Sequence, residues 1–259
     1  MRIAVGLEYD GRGFHGWQTQ PDGRGVQDAV ERAVAQIAGE TLRVHAAGRT
    51  DAGVHATLQV AHFETAAQRP HQAWVRGVNA LLPPQVAVRW GQAVGDEFHA
   101  RFSALMRSYT YVLLDRPLRP ALAQGRAGWF HAALDVQAMH TGARHLLGEH
   151  DFSAFRAAEC QAATPVRTLH ALEIERISEY VIFRLRANAF LHHMVRNIVG
   201  CLVYVGAGRQ PPDWIAEVLA GRDRTHAAPT FAPDGLYLTG VEYDAKWGLP
   251  EADRPIPLI

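Results

Sequence analysis

Along the chain the spacing of apolar side chains switches between a period of two and a period of 3.6 in one order, and that order leaves few folds open. Ile3, Val5, Leu7 and Tyr9 alternate as a strand, whereas Val26, Val30, Ala33, Val34 and Ile37 keep helical spacing. Two strands are predicted near 42–46 and 57–63. A helix follows from Pro70 through Trp74, Val78 and Leu81 until Pro83-Pro84 stops it, then a strand over 86–94. This is β-α-β-β-α-β, the split βαβ or ferredoxin-like order. After Gly95-Asp96-Glu97 a similar order is predicted again: strand 109–114, helix 136–147, strands 169–177 and 181–187, helix 191–205 and strand 236–243. An Arg/Pro-rich connector (116–126) and an extra helix (212–219) lengthen the second half. The expectation is an α+β chain of two ferredoxin-like halves, residues 1–97 and 98–259, with a mixed, largely antiparallel sheet flanked by helices.

With 48% hydrophobic and 20% charged residues over 259 positions, the chain can bury a real core and is not a disordered segment. Its formal net charge of zero argues against a uniformly basic nucleic-acid surface and leaves room only for a local basic face. Every basic residue except Lys246 is arginine, so phosphate recognition here would use the planar guanidinium fork. A G+C-rich genome is the commoner cause of such a skew. Cys160 and Cys201 have no CxxC spacing, which suggests neither a zinc site nor a disulfide framework and fits a reducing cytoplasm. The longest apolar stretch, 198–207, falls well short of the roughly 20 residues of a membrane span.

Several motifs fail on context. Gly11-Arg12-Gly13-Phe14-His15-Gly16 matches GxGxxG after a strand, but Trp17-Gln18-Thr19-Gln20-Pro21-Asp22-Gly23 follows where a phosphate-binding helix should open. The fourteen histidines show no HxxxH or HExxH spacing, and His192-His193 should point in different directions on a helix, so no metal site is expected. No GxSxG elbow is present.

Three features remain. Gly48-Arg49-Thr50-Asp51-Ala52-Gly53-Val54-His55 holds one carboxylate, Asp51, beside Arg49 in a loop whose glycines allow close approach of a ligand. An aspartate so placed is most often an Asx-turn residue. In Phe190-Leu191-His192-His193-Met194-Val195-Arg196-Asn197, Arg196 opens an otherwise apolar helix, and if buried it needs a partner that a carboxylate such as Asp51 could supply. Arg101-Phe102-Ser103 and Arg107-Ser108-Tyr109-Thr110-Tyr111 interleave arginines with aromatics, suited to holding phosphates and stacking a base, although ordinary strand composition explains them about as well. Arg184 and Arg186 share one strand face, by default a solvated one.

At these residues the sequence resembles the A-type tRNA pseudouridine synthases. The resemblance runs in order through Tyr9-Asp10-Gly11, Gly16-Trp17-Gln18, the 48–55 loop, Asn79 with Leu82-Pro83, and Phe98-His99-Ala100-Arg101-Phe102-Ser103. It continues through 107–111, Asp151-Phe152-Ser153, Phe190 with 192–197, and Gly235-Leu236-Tyr237-Leu238. It implies a pseudouridine-synthase-type sheet, Asp51 as the catalytic aspartate and Tyr109 as the ring packing on the target uracil. Arg196 is then the cation supporting the aspartate, and Arg49 the arginine that helps displace the base. It further implies isomerisation of uridines 38, 39 and 40 in the tRNA anticodon stem-loop, no metal or organic cofactor, no membrane, and a cytoplasmic homodimer. Ser108 and Thr110 stand where the family often carries a basic residue.

The chemistry is compatible with that implication. Moving the glycosidic bond of uridine from N1 to C5 changes no oxidation state and adds nothing, so it needs a carboxylate able to act as a nucleophile or stabiliser rather than a cofactor. The uridine must leave its stack, at a cost of a few kcal/mol that an aromatic ring partly offsets. An apolar wall such as Leu236 or Leu238 would keep water from the freed base. Two other classes stay open: an RNA glycosidase using Asp51, for which the loop lacks a second carboxylate, and a non-catalytic RNA-binding module.

Overall fold

In the computed structural model, which describes residues 1–250 with Asp253 and Ile256, the first elements are β1 (Arg2–Tyr9), α1 (Val26–Ala38), β2 (His45–Ala46), β3 (His55–Glu64), α2 (Val78–Leu81), β4 (Val86–Val94) and β5 (Ala104–Asp115). There follow β6 (Gly128–Phe130), α3 (Val136–Ala143), β7 (Gly148–Asp151), β8 (Val166–Ile177), β9 (Tyr180–Ala187), α4 (Met194–Gly206), α5 (Trp214–Gly221) and β10 (Leu236–Tyr243). The chain is α+β. It divides into two compact units, one running from Met1 to Met106 and resuming at Tyr237, the other from Arg107 to Leu236.

In the first unit β1 pairs antiparallel with β3 on one side and β4 on the other. The far edge of β3 carries the short β2 antiparallel and β10 in parallel, with Tyr237 opposite His55 and Leu238 opposite Ala56. Val26, Ala29, Val30, Ala33 and Val34 form the buried stripe of α1, the i, i+3, i+4, i+7, i+8 pattern of an amphipathic helix. Its ends are closed locally: Asp28 Oδ2 accepts from the Gly25 N–H at 2.8 Å, and Gly39, left-handed at φ 80°, returns its N–H to Ala35 O. β2 is shorter than the predicted strand because α1 takes the backbone of Val44. Glu31 accepts its N–H at 2.9 Å and Gln27 donates to its carbonyl at 3.1 Å. The predicted helix over 70–81 is also interrupted. A π turn over Ala73–Gly77 precedes α2, with the Val78 N–H reaching back to Ala73 O. Trp74 is thereby buried against the Phe63 ring at 5.3 Å, while Gly77 lets Ile37 of α1 pack close, 3.0 Å from where a Cβ would stand.

The second unit is built on the antiparallel order β5-β9-β8-β7, with β6 parallel to β5. β6 and β7 were not expected; Gly128-Trp129-Phe130 and Gly148-Glu149-His150-Asp151 are too short to show a period. α4 is apolar almost all round and correspondingly buried, from Met194 and Val195 through Ile198, Leu202 and Val205. It starts at Met194 rather than 191 because His193 is left-handed, at φ 63°. The predicted helix over 136–147 tightens after Ala143 into a 3-10 turn over Arg144–Leu146. Among the described residues no helix is long and apolar enough to cross a membrane.

Candidate active site

The loop from Gly48 to His55 is fixed by residues some 40 positions away. The Tyr9 hydroxyl lies 2.8 Å from Thr50 Oγ1, and the Trp17 N–H donates to Thr50 O at 2.9 Å. Burial pushes the Tyr9 phenol up to about 12, so it stays a neutral hydrogen-bonding group at physiological pH. Gly16 lies against the same carbonyl at φ 86°; a Cβ there would fall 2.7 Å from Thr50 O. On the other flank the Gly11 N–H donates to His55 Nδ1 at 3.1 Å, and a Cβ on Gly11 would collide with Val54 O. The His55 ring stacks on Tyr237, with centroids 4.6 Å apart.

Asp51 thus stands at the tip of a turn closed by the Val54 N–H on its own carbonyl at 3.1 Å, with Gly53 left-handed at φ 78°. Thr50, Val54 and His55 are buried, Asp51 is half-buried and Arg49 is exposed. Such an arrangement presents one carboxylate from an immobilised backbone. The GxGxxG segment opens no helix. Its last glycine instead supports the aspartate turn.

Tyr109 and Arg196 belong to the second unit, on β5 and α4. Tyr109 is buried with its ring edge-on to Phe190, 5.0 Å between centroids. The Arg107 guanidinium donates to Asn188 O at 3.0 Å. Arg196 is half-buried in the first turn of α4, where its Nε–H donates to Phe231 O at 2.8 Å and fixes the guanidinium plane. The accepting segment is itself pinned. Tyr111 Oη donates to Ala232 O at 2.8 Å, the Val112 N–H donates to Gly235 O at 2.8 Å, and Gly235 has no room for a Cβ beneath Val112 O. Burial pushes the Tyr111 phenol up, so it serves there as a neutral donor. Asn197 ties α4 down by donating to Phe155 O at 2.8 Å and accepting from Arg224 at 3.1 Å and Thr230 at 2.7 Å.

One expectation needs amendment: His192 and His193 do not diverge on a helix, since both precede α4 with their rings 4.0 Å apart. Arg184 and Arg186 are exposed as expected, with Arg184 paired to Glu175 on β8. Residues the spacing arguments passed over are those that hold the loops: Tyr9, Gly16, Trp17 and His55 in one unit, Phe190, Phe231 and Asn197 in the other. Pairing across 30 to 45 positions leaves no local period, and glycines with φ above zero were the one local trace of it.

The comparisons with known proteins agree over the whole length. A family model described as tRNA pseudouridine synthase matches residues 7–103 and 143–244. The tRNA pseudouridine synthase A of Thiobacillus denitrificans is 60% identical over 257 residues, 99% of each chain. The protein of the same name from Chromobacterium violaceum is 61% identical over 251 residues, 96% of each, and that from Nitrosomonas eutropha 59% over 250 residues, 96% of this chain and 90% of the relative. These matches establish that the chain belongs to the tRNA pseudouridine synthase family, isomerases that convert uridine to pseudouridine in tRNA.

Proposed function

We propose that the chain isomerises uridines 38, 39 and 40 of the tRNA anticodon stem-loop, acting as a homodimer in the cytoplasm, with Asp51 as its catalytic carboxylate. The observation that carries the assignment is the turn itself: Asp51 is half-buried at the tip of a loop whose flanks are held by Tyr9, Gly16, Trp17 and Gly11. A catalytic group held so needs no reorganisation when substrate arrives. Arg49, exposed on the same loop, is the residue that displaces the base, Tyr109 the ring on which the freed uracil packs, and Arg196 the cation that supports the carboxylate. Because N1–C1′ is broken and C5–C1′ made within one nucleotide, the hydrogen leaving C5 is replaced by the bond to the sugar and a proton is taken up at N1. The atoms balance with no redox partner.

That hydrogen is also the test. Incubating the protein with tRNA transcripts tritiated at uracil C5 is expected to release tritium to water, and Asp51→Asn is expected to release none while still binding tRNA. Label found in free uracil would make the protein a glycosidase. Label retained in intact RNA by the wild type would remove the catalytic assignment.

A further inference from the structure

Away from the aspartate turn, the first unit has a cavity of about 290 Å³ lined by Arg2, Thr41, Leu42, Arg43, His45, His62, Glu64 and His99. None of these has a role in the isomerisation argued above. The three imidazoles form a triangle, with ring centroids 5.2 Å apart for His45 and His62, 4.6 Å for His62 and His99, and 5.6 Å for His45 and His99. His45 and His62 are direct cross-strand partners on β2 and β3, so the sheet holds them side by side. His99 is held over them by its own turn, where Ser103 N–H donates to His99 O at 2.8 Å.

Three clustered imidazoles invite a metal reading, and the hydrogen bonds argue against it. His62 Nδ1 accepts from the Ala100 N–H at 3.1 Å, and His99 Nδ1 accepts from the N–H groups of Arg101 and Phe102 at 3.1 and 3.3 Å. With Nδ1 committed as an acceptor, the proton of each neutral ring is on Nε2. To ligate a cation through Nε2, each ring would have to move its proton to Nδ1, against a backbone N–H. The edges presented here are therefore donors. The surrounding charge agrees: burial first, then the positive charges of His99, His45 and Arg2, push the His62 imidazole down to about 3. Burial, His45, Arg2 and Arg101 also lower His99. The acid at the cavity, Glu64, is ion-paired to Arg2, and Arg2 Nε is buried without an acceptor among the described residues. Imidazole donors without acceptors, beside the guanidinium groups of Arg2 and of Arg43, whose Nε lies 3.6 Å from Glu31, suit an anion.

We propose that this cavity binds a tetrahedral oxyanion of the phosphate class, held by the Nε2–H groups of His62 and His99 with His45 and Arg43 at its mouth. A phosphodiester of the RNA substrate and a free phosphate share that chemistry. His62 lies seven residues along β3 from His55, about 23 Å from the end of the aspartate loop at the rise of a strand. That is a distance a folded RNA can bridge.

The test uses the full chain and inorganic sulfate, which keeps its double charge across the pH range used. Imidazole signals are followed by NMR and assigned with His45→Gln and His99→Gln. Sulfate is expected to shift all three rings where chloride at equal ionic strength does not, and to bind more tightly at pH 5.5 than at pH 8, since the anion favours the charged imidazoles. The charged groups facing the rings are Arg2, Arg43, Glu64 and Arg101. His45→Gln should weaken sulfate binding by about threefold to tenfold, the effect of one hydrogen bond, with an unchanged melting temperature. Saturating tRNA, added to the Asp51→Asn protein, distinguishes the sources: loss of the sulfate response assigns the site to a phosphodiester, an unaltered response to a free anion. Rings that ignore sulfate at both pH values, or that respond to zinc alone, would overturn the proposal.

Discussion

At the scale of single residues, the candidate site depends on atoms that are missing as much as on those present. Gly16 has φ 86° and lies where a Cβ would be 2.7 Å from Thr50 O. Alanine there must leave the left-handed region or push the Thr50 carbonyl away from the Trp17 N–H, and either movement shifts Asp51. Gly16→Ala is therefore expected to cost about 1–2 kcal/mol in stability and a larger share of activity. Tritium release from C5-labelled tRNA should fall by tenfold or more in a protein whose circular dichroism is unchanged. Equal and small losses of both would show the turn to be less constrained than its geometry implies. The aspartate and its flanking glycines were legible from the residues of the loop alone. The reason for Gly16 could not be read there, because Thr50 is 34 residues away, and a glycine followed by Trp17 has no period of its own.

At the scale of elements, α4 and the β5–β9–β8 ribbon position the second unit's aromatic and arginine, and an ion pair between a buried carboxylate and an exposed arginine helps fix that ribbon. Asp115, at the end of β5, has a side chain only 1% exposed. Arg176 of β8 grips it with two bonds of 2.7 and 2.6 Å, the Leu134 N–H donates to it at 2.9 Å, and Arg176 donates to Leu134 O at 2.9 Å. Removing the arginine leaves the buried carboxylate with the Leu134 N–H, but Arg176 itself is exposed and water can reach the gap, so Arg176→Met should destabilise by about 1.5–3 kcal/mol, the worth of a charged hydrogen bond. Replacing both members, Asp115→Leu with Arg176→Met, should recover much of that loss. Urea denaturation of the single and double variants would check it, and a single variant within 1 kcal/mol of wild type would place the pair among ordinary surface bridges. Element existence was largely legible from period alone: β4 and β10 match their predicted spans, and α1 differs by a residue or so. What periodicity missed were interruptions with a tertiary cause. The π turn at Ala73–Gly77 follows from Trp74 meeting Phe63, and the late start of α4 from the left-handed His193.

At the scale of the whole molecule, equal numbers of acidic and basic groups conceal an uneven response to acid. Two kinds of group titrate in the same sense. His62, pushed down to about 3 by burial and by its positive neighbours, binds a proton in the unfolded chain at about 6.5 but not in the folded one, so stability is full above 6.5 and falls as pH drops toward 3. Asp151 is held low chiefly by the Ser153 hydroxyl, against a smaller opposing effect of burial. Its contribution is present above the ordinary carboxylate range and is lost only below it. Acid should thus loosen the protein in two stages, histidine first. The first stage is worth at most about 1.4 kcal/mol per pH unit, or about 2–3 °C in melting temperature for a chain of this size. Melting followed from pH 7.5 to 4 in a low-salt buffer without phosphate or sulfate should show that slope. His62→Gln, which keeps an acceptor for the Ala100 N–H, should flatten it. Sulfate added to the wild type should flatten it as well, because an anion that favours the charged imidazoles offsets the cost of protonating them. A slope that sulfate leaves untouched but His62→Gln removes would separate the two ideas, keeping His62 as the acid-sensitive group and taking the anion out of the cavity.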